Sequence, residues 1–186
     1  MDHILIVEDD RALSQGIRLA LDQAGRQFIQ CHTLREAEEA LAACPPQLVI
    51  LDLNLPDGNG LDLLRRLRAA FPGCSFTTDV MVGFAGETEE EFAQSKAFVE
   101  QCGFAQIHLF PYSIRPGTPA AKLPQVPDYI KSRRMAQMEQ VAQTAWNRFL
   151  EAGVGQVQQV LLESTLTPQG RLGHTADYRP VAVALP

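Results

Sequence analysis

Two short apolar runs in the first third of the chain each end on carboxylates. Ile4-Leu5-Ile6-Val7 is followed at once by Glu8, Asp9 and Asp10, and Leu48-Val49-Ile50-Leu51 is followed by Asp52. Continuous apolar tetrapeptides with β-branched residues read as strands covered on both faces. Carboxylates gathered at one sheet edge repel each other, and a hard cation such as Mg²⁺ relieves that repulsion by taking oxygen ligands. A plainer reading stands beside it, in which Asp9 and Asp10 cap the next helix and Asp52 is a solvated loop acid. The four cysteines, at 31, 44, 74 and 102, are spaced by 13, 30 and 28 residues. That matches no zinc or iron–sulfur ligand pattern and reads as reduced, mostly buried thiols.

The elements that must position these acids follow from periodicity. Leu13, Ile17, Leu21 and Ala24 predict a helix over about 11–24 closed by Gly25, then a strand at 28–31 and a helix at 34–43 stopped by Pro45-Pro46. Residues 55–60 are turn chemistry, and Leu61, Leu64, Leu67 and Phe71 make one helical face. After Pro72-Gly73, a strand within 76–82 leads to the permissive loop 83–86, and Thr88 with Glu91 forms a capping box at the start of helix 88–102. A strand at 105–110, a loop at 111–127 holding five of the twelve prolines, and a helix of about 24 residues from Asp128 complete the series. Five strand–helix units specify right-handed crossovers and a flavodoxin-like, doubly wound five-stranded parallel sheet of order 2-1-3-4-5. The expected domain covers 1–153, with a small β appendage of three short strands at 154–186. In that order the strands ending at Val7 and Leu51 are neighbours, so Glu8, Asp9 and Asp52 converge.

Composition sets the outer bounds. A chain of 186 residues with 46% apolar and 20% charged side chains has room for one large domain, or a domain and an appendage. No apolar run approaches the roughly 20 residues that span a bilayer, and the first acids come too early for a secretory leader, so a cytoplasmic chain is expected. Net charge is −6. Residues 1–112 carry 8 basic and 17 acidic side chains against 8 and 5 in 113–186, so the two ends are suited to different partners.

Residues 1–72, through ILIVEDD and LVILDLNLPDGNGLDLLRRLR, resemble the first three βα units of a response-regulator receiver domain. The resemblance implies that Asp52 is the phosphoacceptor, that Glu8, Asp9 and Asp52 hold Mg²⁺ with the backbone carbonyl of Asn54, and that a histidine kinase or small phosphodonor is the partner. It fails downstream. Gly83 stands where such a domain has a hydroxyl after its fourth strand, and Phe110 stands where it has a lysine after its fifth. Both switch positions are therefore expected to be lost.

From about Cys74 onward, TTDVMVGFAGETEEEF and HLFPYSIRPGTPAA are similar to the late barrel strands of radical SAM tRNA methylthiotransferases, especially those modifying threonylcarbamoyladenosine. GRLGHTADYRPVAV resembles the first half of that family's RNA-binding TRAM module, which implies weak RNA contacts through Arg171, His174, Tyr178 and Arg179. Radical SAM chemistry needs a C-x₃-C-x₂-C triplet to hold a [4Fe–4S] cluster, and no two cysteines here are closer than 13 residues. Neither an iron–sulfur cluster nor S-adenosylmethionine is expected. Arg133 and Arg134 read as a solvated helix face, His108 as a packed strand residue and Trp146 as core. The chain reads as a chimera joined near 72–74, without complete catalytic machinery, capable at most of Mg²⁺ binding and weak phosphoacceptance at Asp52. The alternatives are an RNA-binding C-terminal fragment of a tRNA methylthiotransferase, or a recombination of two folds with no biological role.

Overall fold

The computed structural model describes residues 2–71 and 74–184; of the expected family junction near 72–74, Pro72 and Gly73 lie outside the described residues. The chain divides into two compact units, Met1–Pro72 and Gly73–Pro186.

In the first unit, β1 (Asp2–Val7), α1 (Arg11–Leu21), β2 (Arg26–Cys31), α2 (Leu34–Ala43) and β3 (Leu48–Leu51) alternate, followed by the hairpin β4 (Asn54–Leu55) and β5 (Gly58–Asn59), then α3 (Gly60–Ala70). The three main strands form a parallel sheet in the order β2-β1-β3, with Val7 level with Cys31 on one side and Leu51 on the other. Ile4 to Val7 are all buried, as an unbroken apolar run demands of a central parallel strand. Helix α1 ends at Leu21, earlier than expected, because Asp22 turns to extended backbone; Gly25, at φ +91°, serves the turn into β2 instead of closing the helix. Its N-cap is Asp10, which accepts the N–H groups of Ala12 and Leu13 at 2.8 and 3.0 Å. Of the two acids that could have capped this helix, Asp10 does so.

In the second unit, β6 (Thr77–Val82), α4 (Glu89–Cys102) and β7 (Gln106–Pro111) precede a 3₁₀ turn at Pro119–Lys122 and the long helix α5 (Asp128–Glu151). Strands β6 and β7 pair in parallel through all six residues. Val82, Phe92, Val99, Ile107, Met138 and Val141 are buried. The Thr88–Glu91 capping box forms as its spacing predicts. Strands β8 (Val160–Thr167), β9 (Gly170–Thr175) and β10 (Pro180–Val183) make an antiparallel sheet in the order β10-β9-β8.

The parallel βα character therefore holds, and the expected neighbours 2-1-3 and 4-5 are found as the sheets β2-β1-β3 and β6-β7, without confirming a single five-stranded order 2-1-3-4-5. The compact division falls at 72/73. Within the second unit, Arg179 of the β8–β10 segment donates Nε to the Phe149 carbonyl at 3.0 Å and lies over the Phe149 ring, tying that segment to α5. Two side chains also differ from their expected roles: His108 is exposed, and Arg134 is buried within α5.

Candidate cation site

Glu8 and Asp52 each stand one residue beyond their strands and continue the ladder there, and Asp9 follows Glu8. The Glu8 N–H donates to the Cys31 carbonyl at 3.0 Å, and the Asp52 N–H donates to the Val7 carbonyl at 2.9 Å. Adjacent parallel strands thus deliver Glu8, Asp9 and Asp52 to one sheet end, and one carboxylate oxygen from each lies within 4.8 Å of the others. Glu8 is buried, Asp52 half-buried and Asp9 exposed. Among the described residues, no basic side chain forms an ion pair with any of the three.

The electrostatic result is visible at Glu8. Burial pushes its carboxyl above the ordinary glutamate range, the neighbouring Asp52 and Asp9 push it further, and a hydrogen bond from the Asp10 N–H to Oε1 at 3.1 Å opposes them. His32 Nδ1 lies 2.7 Å from the Glu8 carbonyl oxygen and steadies that residue's backbone. Asp52 Oδ1 accepts the N–H groups of Leu53 at 2.7 Å and Asn54 at 3.4 Å, which turns the chain sharply into β4. Gly60 comes so close behind this turn that a Cβ there would sit 2.2 Å from the Asp52 carbonyl oxygen.

Three oxygen donors at hard-ligand spacing, one of them buried and uncompensated, suit a divalent cation that prefers carboxylates and water. Sequence reasoning brought these three together; Asn54, which the receiver resemblance adds to them, lies in β4 level with Asn59. It missed Gly60, whose signal was only its place in a turn, and His32, whose role depends on a backbone carbonyl in another element.

The remaining candidates lie in the second unit. Gly83 adopts φ +74° and donates its N–H to the Glu87 carboxylate at 3.1 Å, while Phe110 is exposed near the end of β7. Glu87 also receives Arg134 Nη1 at 2.7 Å, an ion pair that sequence spacing gave no reason to expect. Of the four residues assigned to RNA, His174 pairs with Glu163 at 2.6 Å and stacks on Tyr178 with ring centroids 4.5 Å apart. Arg179 is taken up by Phe149 and Asp177, and Arg171 is partly buried in β9. Tyr178, at φ +70°, is the one member of the four that is strongly exposed.

Clustered acids beyond adjacent parallel strands of a βα unit define a receiver-type module. Residues 4–98 match the response regulator receiver domain family, and the chain belongs to that family. The match runs past residue 73, across β6 and into α4.

The chain is also similar to tRNA-modifying enzymes. It is 34% identical over 121 residues to threonylcarbamoyladenosine tRNA methylthiotransferase MtaB of Rickettsia prowazekii, covering 65% of this chain and 28% of the relative. It is 42% identical over 126 residues to the tRNA-2-methylthio-N(6)-dimethylallyladenosine synthase of Akkermansia muciniphila, covering 66% and 28%. The chain thus spans about a quarter of the length of these curated relatives. Among solved structures, it is similar to the non-phosphorylated HemR receiver domain of Leptospira biflexa, with 24% identity, a TM-score of 0.43, and coverage of 76% of this chain and 94% of that one. Receiver family membership and methylthiotransferase similarity in one chain are together consistent with a chimera. No helix among the described residues is long and apolar enough to cross a membrane.

Proposed function

We propose that the first unit binds Mg²⁺ through Glu8, Asp9, Asp52 and the Asn54 backbone carbonyl, and that Asp52 accepts a phosphoryl group weakly from a small phosphodonor or a histidine kinase in the cytoplasm. The observation that carries this reading is the gathering of three carboxylates within 4.8 Å, with no ion pair to a basic side chain among the described residues. The cation would supply charge neutralisation at the acidic end. In phosphoacceptance, a carboxylate oxygen of Asp52 attacks phosphorus as the bond from phosphorus to the donor breaks, P–N for a phosphohistidine and P–O for an acyl phosphate, and the donor leaves with the bonding electron pair. With Gly83 and Phe110 in place of hydroxyl and lysine, the phosphorylated form lacks both groups that ordinarily convert the modification into a conformational signal.

The test is a Mg²⁺ titration of the full chain, followed by backbone amide shifts. The only tryptophan and all three tyrosines lie beyond residue 73, so backbone amides supply the probes within this unit. Saturable shifts at Glu8, Asp9 and Leu53 that vanish in Asp52→Asn support the reading. Their absence at millimolar Mg²⁺ overturns it.

A second reading, RNA binding through 154–186, rests on the exposed Tyr178 ring stacked on His174. A salt-dependent gel shift with tRNA that disappears in Tyr178→Ala supports it. Binding unaffected by that substitution argues against it.

A further inference from the structure

We propose that Asp57 is a positioning residue for the cation site, clamping the segment after Asp52 to the start of α2 so that the two arms of the site keep a fixed separation. This rests on the Mg²⁺ reading above and extends it to a residue that coordinates nothing itself.

Asp57 lies in the turn between β4 and β5. Its Oδ1 accepts the N–H of Leu34 at 2.7 Å, and its Oδ2 accepts the N–H of Arg35 at 3.1 Å. A helix start leaves four N–H groups without intrahelical partners. In α2 the first intrahelical bond runs from the Ala37 N–H to the Thr33 carbonyl at 3.2 Å, the Thr33 hydroxyl takes the Glu36 N–H at 3.1 Å, and Asp57 takes those of Leu34 and Arg35. Two of the orphan N–H groups are therefore satisfied by a residue more than twenty positions away. The positive end of the α2 dipole favours a carboxylate there. The two backbone bonds, first from Leu34 and then Arg35, hold the Asp57 carboxyl below the usual range, so the clamp is charged at neutral pH. The turn lies close against the helix, since a Cβ on Gly58 would approach Leu34 Cδ1 to 2.7 Å.

The other end of this segment is fixed as well. The Gly60 N–H donates to the Leu53 carbonyl at 2.9 Å, and Asn59 Oδ1 caps α3 through the Leu61 N–H at 2.9 Å. Between these anchors lie Asn54 and the turn that follows Asp52.

The opposite arm of the site meets the same junction. His32, two residues before α2, lies 2.7 Å from the Glu8 carbonyl oxygen, and its own N–H donates to Glu36 Oε2 at 2.6 Å. The β2–α2 junction thus grips the Glu8 arm through His32 and the Asp52 arm through Asp57. Mg²⁺ tolerates little departure from its preferred octahedron, whereas Ca²⁺ accepts looser and larger arrangements. Releasing one arm should therefore cost Mg²⁺ more than Ca²⁺.

The experiment titrates the full-length chain with Mg²⁺ and separately with Ca²⁺, following amide shifts in wild type, Asp57→Ala and Asp57→Asn. We expect Asp57→Ala to weaken Mg²⁺ binding by about 10- to 100-fold, in the range typical of residues that orient metal ligands. The Mg²⁺-to-Ca²⁺ affinity ratio should fall with it, which a uniform loss of stability would not produce well below the melting temperature. Asp57→Asn keeps one acceptor oxygen and should fall between the two; it also provides the measurement if the alanine variant does not fold. An unchanged Mg²⁺ affinity and ratio in a folded variant overturns the clamp. Absence of Mg²⁺ binding in the wild type itself overturns the cation reading, and the clamp with it.

Discussion

Arg134 of α5 donates Nη1 to the Glu87 carboxylate at 2.7 Å and to the Glu87 carbonyl at 3.1 Å, with only 4% of the arginine side chain and 13% of the glutamate exposed. The same guanidinium lies 5.3 Å from the Phe92 ring centroid and reaches Glu89 at 3.1 Å. Glu87 in turn accepts the Gly83 N–H. One buried cation therefore fastens the loop after β6 to the long helix.

Removing Arg134 leaves the Glu87 carboxylate buried without its cation, whereas neutralising Glu87 leaves Arg134 its contact with Glu89. Arg134→Met should therefore lower stability by roughly 3–5 kcal/mol and Glu87→Gln by less, and the double variant should lose less than the two summed. Trp146 lies on α5 and reports this unit. Urea unfolding followed by its fluorescence should show a lower midpoint with an unchanged slope; a shift below about 0.5 kcal/mol would show that the pair is dispensable.

Glu8 sets a pH dependence of defined sign. Burial, then Asp52 and Asp9, raise its folded pKa above the ordinary value of 4.5, so the folded state keeps the proton to higher pH than the unfolded state does. Its unfavourable contribution is absent below about 4.5, grows as pH rises through the folded pKa, and is complete above it. Glu8→Gln should therefore stabilise the first unit at neutral pH in metal-free buffer and make no difference at pH 3. Hydrogen exchange at Ile4 to Val7 measures this, and a gap that narrows with rising pH would contradict it.

Two glycine-to-alanine changes should move stability in opposite directions. At Gly60 a Cβ would meet the Asp52 carbonyl oxygen at 2.2 Å and Leu53 Cα at 3.0 Å, so the backbone must shift, and a loss of roughly 1–3 kcal/mol is expected with weaker Mg²⁺ binding. Gly16 lies within α1 with nothing near its Cβ position, and Gly16→Ala should add about 0.5–1 kcal/mol through the helix propensity of alanine. Exchange protection of β1 distinguishes the two, and equal effects would sink the close-approach account.

The cysteines offer a readout of unit-by-unit unfolding. Cys31 is 3% exposed, and burial, with Glu36 and Glu39 nearby, pushes its thiol up to about 11. Cys74 is exposed. Alkylation at pH 8, followed by peptide mass spectrometry, should label Cys74 within minutes and Cys31 only as the first unit opens. Comparable rates in native buffer would mean that β2 is not packed as described.

What the amino-acid sequence determined by itself is local. The acid-tipped strands, the Thr88–Glu91 capping box and the 24-residue helix α5 each follow from residues a few positions apart, where strand pattern and helix period act directly. The three carboxylates were legible because Glu8-Asp9 and Asp52 follow their apolar runs directly and parallel neighbours place such ends together. Tertiary structure alone decided the fate of side chains whose chemistry is ambiguous in sequence. Arg134 and Arg179 look like surface cations until a carboxylate and a ring are brought to them, and Asp57 looks like an ordinary turn acid until the bare N–H groups of α2 arrive beside it. Those partners lie 47, 30 and 23 residues away in the chain, a separation at which no local pattern constrains the encounter.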